Sequence, residues 1–330
     1  MPPFHRPGRS RLPRLARILL VGVGLDAIGH GLTLPFLVVY LHDVRGMSLA
    51  TVGLLAAVPP VVALTLLGPL GVLIDRLGPR RVQVAALLAS SGAAFVLSQT
   101  HAVPAAVVAQ LLVGVGHAAF WPANQSLIAE LVPSVDRQHY FGVAFTLLNA
   151  GIGVGGLVSG LLVSVADPTT FEWIYVVDGL SFAVPLAILL GPLRHVGGPV
   201  VVIGSSSPAG ERRSGRPRSG GSYRDVLADR VFRRVLAVAF LASLVGYSQM
   251  EAGWTAFART VAEASTQTMG MAFAVNTAAI VIVQLVVLRR LEGRRRTRAL
   301  MVMAGVWALS WLIVGSSGLV PGTLLAAVLL

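Results

Sequence analysis

Long apolar runs separated by short charged or polar connections recur along this chain of 330 residues. Runs of about 18 or more apolar residues are typical of transmembrane helices. The pattern predicts nine full spans, near residues 15–41, 49–74, 82–100, 103–130, 140–165, 172–191, 235–257, 268–288 and 299–315. We therefore predict an all-α polytopic membrane protein.

A shorter apolar stretch, Gly318–Leu330, follows the ninth predicted span. A helix of about 12 residues covers roughly 18 Å at 1.5 Å per residue. The hydrocarbon core of a bilayer is roughly 30 Å thick. We therefore expect only a partial tenth helix in this stretch.

The basic residues predict how the chain is oriented in the membrane. All 26 are arginines. Twenty-four of them lie in the N-terminal tail or in connections on the same side of the predicted spans, whereas Arg45 and Arg259 lie on the other side. Because cytoplasmic loops carry an excess of positive residues, we expect a plasma-membrane protein with a cytoplasmic N-terminus. The net charge of +12 then reflects topology, and we expect no nucleic acid partner.

Composition and span spacing predict four regions. They are a basic cytoplasmic tail at 1–14, a six-helix half at 15–191, a cytoplasmic loop at 192–234 and an incomplete second half at 235–330. Gly197–Ser222 is rich in Gly, Ser, Pro and Arg, which is typical of a flexible linker. Tyr223–Leu236 is either a short amphipathic helix or a solvated linker end. Two helical halves around a site near the membrane midplane are the plan of secondary transporters.

A charged turn separates the second and third predicted spans and holds Gly71, Asp75, Arg76, Gly78, Arg80 and Arg81. A glycine followed by a basic cluster recurs in the second half at Gly293. The first turn resembles the signature of the major facilitator superfamily, with Pro79 as an additional residue before the basic pair. The resemblance implies a twelve-helix transporter, of which the C-terminal part is incomplete here. It also implies that the turn acts in conformational change, with Asp75 helping to lock the outward-facing state.

Three shorter elements resemble the drug-efflux branch of that superfamily. They are Leu25-Asp26 with Leu34-Pro35, Gln110-x3-Gly114-x-Gly116 and Gly151-Ile152-x2-Gly155-Gly156. Gln110 and Ile152 stand where the branch has arginine and proline. The resemblance implies proton-coupled efflux of small hydrophobic compounds by alternating access. An uptake permease and a transport-incompetent membrane fragment are the alternatives.

Ionisable side chains within the predicted spans are candidate functional groups, because a charge is costly inside a bilayer. Asp26 lies near the middle of the first span, and His30 follows one turn later on the same face. We predict that this pair takes part in proton coupling. A fixed hydrogen bond from Asp26 to a neighbouring helix is the alternative. Glu251 in the seventh span is a third candidate for proton coupling.

The fourth span carries Gln110, His117 and Asn124 at intervals of seven residues, which predicts one polar stripe. We expect this stripe to line a substrate cavity together with Asn149. Hydrogen bonding between helices is the alternative. Asp178 in the sixth span is interpreted as a structural partner near the outer end of that span.

Other chemistries lack their sequence elements. Cysteine is absent, and we find no Walker A, His-Glu-x2-His or Gly-x-Ser-x-Gly element. Gly151, Gly153 and Gly156 match a dinucleotide fingerprint, but they lie inside a predicted span, where such glycines form close-packing pairs with Gly155 and Gly160. We expect no enzyme, metal or cofactor. The expected partners are a small-molecule substrate, protons and the lipid bilayer, and the expected assembly is a monomer.

Overall fold

The computed structural model describes residues 12–198, 228–244, 253–291 and 296–316, which are mainly helical. Its helices are α1 Arg14–Thr33, α2 Leu49–Leu77, α3 Pro79–Ser98, α4 Val103–Leu131, α5 Arg137–Leu162, α6 Pro168–Ser181, α7 Ala183–Leu190, α8 Arg230–Ala242, α9 Trp254–Thr260, α10 Thr266–Leu291 and α11 Arg296–Ser316. A 3-10 turn at Leu34–Phe36, a helical turn at Leu37–Val39 and a π-helical turn at Tyr40–Val44 prolong α1.

Seven segments of the described residues are long and apolar enough to cross a membrane. They are Arg14–Val44, Leu49–Leu77, Pro79–Ser98, Val103–Leu131, Arg137–Leu162, Pro168–Leu190 and Thr266–Val283. These segments correspond to the first six predicted spans and the eighth. The all-α polytopic fold is therefore confirmed, while the total number of spans stays a prediction.

Several predicted elements fall wholly or partly outside the described residues. They include most of the N-terminal tail, the linker, part of the seventh span and the partial tenth helix. The ninth predicted span corresponds to α11, whose apolar stretch is Leu300–Gly315. The predicted amphipathic helix lies within the described residues from 228 onward. There the Asp229 carboxylate accepts a hydrogen bond from the Val231 amide at 2.7 Å and caps α8.

Glycines bring α5 against α1 at the centre of the first six spans. A Cβ atom at Gly155 would lie 2.3 Å from the Ile28 carbonyl oxygen, and one at Gly31 would lie 2.5 Å from the Ile152 carbonyl oxygen. Gly151 meets Ala27 in the same way, since a Cβ there would lie 2.6 Å from the Ala27 side chain. Small residues allow such backbone contact between membrane helices, where the hydrophobic effect drives little association.

A second glycine face of α5 packs along α10. The ideal Cβ of Gly160 would lie 2.8 Å from the Cα of Gly270, and that of Gly153 would lie 2.7 Å from the Thr277 side chain. The glycine run of α5 therefore packs closely against two different helices, α1 and α10. The α5 helix joins the first six spans to α10, which follows the predicted central loop.

Prolines end α1 and α6 inside their spans. Pro35 has no N–H to donate to the Gly31 carbonyl, and Pro185 has none for the Ser181 carbonyl. The α1 helix accordingly ends at Thr33, and α6 ends at Ser181. Both breaks lie beside polar side chains at the α1–α6 interface.

The packing of α1 on α5 generates a stability prediction with a matched control in the same helix. Gly155→Ala should lower the free energy of unfolding by about 1–3 kcal/mol, because the new methyl group meets backbone atoms that cannot move independently. Gly142→Ala should leave it unchanged or raise it by up to about 1 kcal/mol, because no atom lies within 4 Å of that Cβ position. Thermal unfolding of the detergent-solubilised variants measures both, and equal destabilisation would contradict the packing.

Candidate functional site

Asp26 lies well inside the membrane-spanning part of α1. It is the thirteenth residue of the span Arg14–Val44, about 18 Å from the first residue at 1.5 Å per residue. Its Oδ1 atom is buried and finds no hydrogen-bond partner among the described residues. The Ser181 hydroxyl at the end of α6 interacts with the same carboxyl group. Asp26 therefore faces the junction of α1 with the break in α6.

Asp178 also lies at this junction, whereas the sequence analysis placed it near the outer end of its span. The span containing α6 begins at Pro168, four residues before the predicted boundary, so Asp178 lies at mid-span rather than near an end. It is only 7% exposed, and its Oδ2 accepts a hydrogen bond from the Thr33 hydroxyl at 3.1 Å. Its Oδ1 is buried without a partner among the described residues. The sequence analysis interpreted Asp178 as a structural partner, and the signal for a place in this site was its carboxylate within an apolar run.

His30 and His117 meet between α1 and α4. Their ring centroids are 6.3 Å apart, and the rings are nearly perpendicular. The sequence assigned His30 to proton coupling and His117 to the substrate cavity, and the structure brings these two side chains together. Imidazole groups inside a membrane span can accept and release protons.

The other polar residues of the predicted cavity make hydrogen bonds to helices. The Gln110 amide donates to the Leu55 carbonyl of α2 at 3.3 Å. Asn124 accepts a hydrogen bond from the Gln83 amide of α3 at 3.3 Å. Asn149 donates to the Phe145 carbonyl of its own helix at 2.8 Å. These bonds match the alternative of hydrogen bonding between helices for Gln110 and Asn124. Glu251 lies outside the described residues.

The charged turn between α2 and α3 is built around Gly78. This residue has φ +86°, and its amide donates to the Ile74 carbonyl at 2.8 Å, which ends α2. Pro79, the additional residue of the motif, occupies the first position of α3, where a missing N–H has no cost. The Arg80 guanidinium donates to the Leu189 carbonyl of α7 at 3.4 Å, whereas Asp75, Arg76, Arg81 and Gly71 are exposed.

A second polar cluster lies at the opposite end of the spans. Arg45 binds Glu172 at 2.7 Å and the Tyr40 hydroxyl at 2.8 Å. Burial opposes its charge, but these two partners hold the pKa of Arg45 above its usual range. Arg259 forms an ion pair with Asp43 and donates to the Ala264 carbonyl at 3.0 Å. The Asp43–Arg259 pair joins the end of the first span to α9, 216 residues later.

Discontinuous helices with buried carboxyl groups at mid-span are features of membrane transport proteins. The family model described as "Major Facilitator Superfamily" matches residues 19–330. This chain therefore belongs to the major facilitator superfamily, a family of membrane transporters, and this membership supports a non-enzymatic role.

Characterised and uncharacterised transporters are among its relatives. The chain is 32% identical over 155 residues to a "Na(+), Li(+), K(+)/H(+) antiporter" of Planococcus maritimus, covering 45% of this chain and 36% of that protein. It is 30% identical over 175 residues to the "Uncharacterized MFS-type transporter YhjO" of Bacillus subtilis, covering 52% and 42%. It is 25% identical over 177 residues to "Quinolone resistance protein NorA" of Staphylococcus aureus, covering 54% and 45%. The chain therefore matches less than half the length of these relatives.

The α2–α3 turn generates a prediction that compares two glycines of one motif. Gly78→Ala should destabilise the protein by about 1–3 kcal/mol, because it combines a left-handed backbone with steric overlap. The added Cβ would lie 2.4 Å from the Gly197 carbonyl oxygen. Gly71→Ala meets no atom within 4 Å and should not destabilise. Thermal unfolding measures both variants, and a Gly71→Ala loss as large as that of Gly78→Ala would refute this account of the turn.

The ion pair at the other end is tested with a double-mutant cycle. Asp43→Ala and Arg259→Ala should each lower stability, and their combined effect should be smaller than the sum by about 0.5 kcal/mol or more, because both remove the same interaction. Asp43→Ala combined with Arg194→Ala should be additive, because Arg194 lies in the segment after α7, far from Asp43. Additive effects for Asp43 and Arg259 would contradict the contact.

Proposed function

We propose that this chain takes part in secondary active transport, exporting small hydrophobic compounds in exchange for protons. The observation that carries the proposal is the Asp26 carboxyl group, whose Oδ1 is buried well inside the span without a partner among the described residues. An ionised carboxylate in this position has a high energetic cost, so proton binding and release there can drive a change of conformation. His30 and Glu251 are the further proposed proton-coupling residues. Gln110, His117, Asn124 and Asn149 are the proposed cavity residues.

The names of two relatives support this direction and coupling. One is a cation/H⁺ antiporter, and another is a quinolone resistance protein. The first name describes exchange of cations for protons, and the second describes resistance to a class of drugs. We carry these activities to this chain only as a proposal, because the matches cover less than half of each relative.

The proposed mechanism is alternating access between two helical halves. Residues 15–191 and 235–330 would form these halves, and 192–234 would connect them on the cytoplasmic side. In the plasma membrane, the arginine distribution favours a cytoplasmic N-terminus. The Asp43–Arg259 pair and the α5–α10 packing would then close the outer side, while the turn containing Gly71, Asp75, Arg76, Gly78, Arg80 and Arg81 would act on the cytoplasmic side.

Asp26→Asn tests the role of the carboxyl group in proton coupling. Transport of ethidium into inverted membrane vesicles, driven by an acidic interior, should fall at least tenfold in this variant, because asparagine cannot exchange a proton at this position. Counterflow of the dye at equal pH on both sides should persist, since it needs no net proton movement. Dye fluorescence in the vesicles measures both fluxes.

A second aspartate provides the control for this substitution. Asp167 caps α6 by accepting the Thr169 amide at 3.1 Å, and Asp167→Asn keeps a capping group while leaving transport unchanged. Undiminished driven flux in Asp26→Asn would overturn the proposed coupling. Net movement of dye out of the acidic vesicles would favour an uptake permease, and no specific movement by the unaltered chain would favour a transport-incompetent membrane protein.

A further inference from the structure

A pair of carboxyl groups lies between α1 and α6, formed by Asp26 and Asp178. The two residues are 152 positions apart in the sequence, but α1 packs on α6 here, and a Cβ atom at Gly29, one turn after Asp26, would lie 3.3 Å from the Asp178 Oδ1. Ser181 lies beside both residues, because its hydroxyl approaches the Asp26 carboxyl and donates to the backbone carbonyl of Asp178 at 2.8 Å. We propose that Asp26 and Asp178 form one site that holds a single shared proton.

The first argument is that each residue has an unsatisfied carboxyl oxygen. The Oδ1 atoms of both are buried and have no hydrogen-bond partner among the described residues. The Oδ1 of Asp178 points toward α1, since it would lie 3.3 Å from a Cβ atom at Gly29. A buried acceptor without a donor costs about 1–3 kcal/mol, and a proton held between the two carboxyl groups would provide the missing donor.

The second argument is electrostatic. Two carboxylates close together in a medium of low dielectric repel each other, so such a pair retains a proton that one carboxylate alone would release. The membrane-embedded stretches of three helices around the pair offer no compensating cation among their described residues. Neither α3 from Val82 to Ser98, nor α5 from Phe141 to Leu162, nor α7 has an ionisable side chain.

The remaining ionisable groups near the pair lie on three helices. Tyr175 lies one turn before Asp178 in α6. Its ring is tilted against that of Tyr40, with the ring centroids 5.0 Å apart, and Tyr40 binds Arg45. His30 on α1 and His117 on α4 are in contact with each other. None of these neighbours has a carboxyl group, so Asp26 and Asp178 are the carboxyl groups that can share the proton among the described residues of these spans.

The structural setting allows the pair to respond to helix movement. Thr33, the donor to Asp178, is the last residue of α1, and Ser181 is the last residue of α6. Gly29 permits the approach of the two helices, since a Cβ there would lie 2.2 Å from the Ser181 hydroxyl. A shift of α1 against α6 would change the distance between the carboxyl groups and so the affinity for the shared proton. This use of the proton rests on the proposed function, but the site itself can be tested without transport.

Thermal unfolding at a series of pH values tests the shared proton. For the unaltered protein, the melting temperature should fall as the pH rises from about 5 to about 8, because loss of the proton leaves two like charges in the native state whereas the unfolded chain is already ionised. The pair's contribution to this pH dependence of the melting temperature should be lost to the same extent in Asp26→Asn, in Asp178→Asn and in the double variant. If the two carboxyl groups were independent, each single substitution would remove only part of the pH dependence, and the two effects would add in the double variant. This additive result would overturn the proposal.

Controls separate the site from folding defects and from metal binding. Asp167→Asn should keep the full pH dependence, and His30 and His117 are present in every variant, so their titration cancels in the comparison. Should the variants not fold, infrared spectroscopy of the unaltered protein should show loss of a protonated carboxyl C=O band over the same pH range, and its absence would overturn the proposal. Stabilisation by sodium chloride but not choline chloride, lost in Asp178→Asn, would assign the site to a metal cation and overturn the shared proton.

The same variants distinguish this site from the proposed function. If Asp26→Asn abolishes proton-driven flux but the effects of the two substitutions on the pH dependence of melting are additive, the proposed coupling is supported and the shared-proton site is contradicted. If the effects of the two substitutions are non-additive but flux is unchanged in Asp26→Asn, the shared-proton site is supported and the coupling proposal is contradicted. In the third case, with both supported, Asp178→Asn should reduce driven flux at least tenfold while keeping counterflow.

Discussion

The close approach of backbones along α5 is the interaction on which the rest of this structure depends. Membrane helices gain little from burying apolar side chains against one another, because lipid is equally apolar. Their association requires van der Waals contact, and α5 achieves this with Gly155 against Ile28 of α1 and Gly160 against Gly270 of α10. The α1 helix is thereby held in the bundle with its Asp26 side chain directed to the interface with α6.

The polar groups inside the spans are arranged around interruptions of the helices. In the absence of water, a free backbone carbonyl in a bilayer needs a partner or a polar neighbourhood. The breaks produced by Pro35 and Pro185 place Thr33 and Ser181 beside Asp178 and Asp26. Interruption of the helices and burial of acids therefore occur at one place, and this combination supports a site that changes its protonation as helices move.

The ends of the spans are held by different kinds of contact. At one end, the α2–α3 turn depends on the backbone of Gly78 and on packing against the segment that follows α7. At the other end, ion pairs of Arg45 and Arg259 join α1 to α6 and α9. Partly exposed ion pairs contribute little to stability. Such contacts fit the side of a transporter that must open and close, in agreement with the proposed alternating access.

The sequence by itself determined the class of fold, because a span needs only a long apolar run and hydropathy records this directly. It also located the turn at Gly78 and the membrane acid Asp26, since a left-handed glycine and a carboxylate in an apolar run are local signals. Membership of the superfamily, expected from the motif, was confirmed by comparison. The second glycine face of α5 was recognised as a packing face, but its partner α10 was not.

Only the tertiary structure decided which polar residues meet. Asp178 was interpreted as a structural residue near an end of its span, yet it lies at mid-span beside Asp26 because α6 begins at Pro168 and packs on α1. Gln110 and Asn124 share a face with His117 in the helical pattern, yet they bind α2 and α3 while His117 contacts His30. Periodicity along one helix records the face on which a side chain lies, but the neighbour on that face is set by the packing of helices distant in sequence.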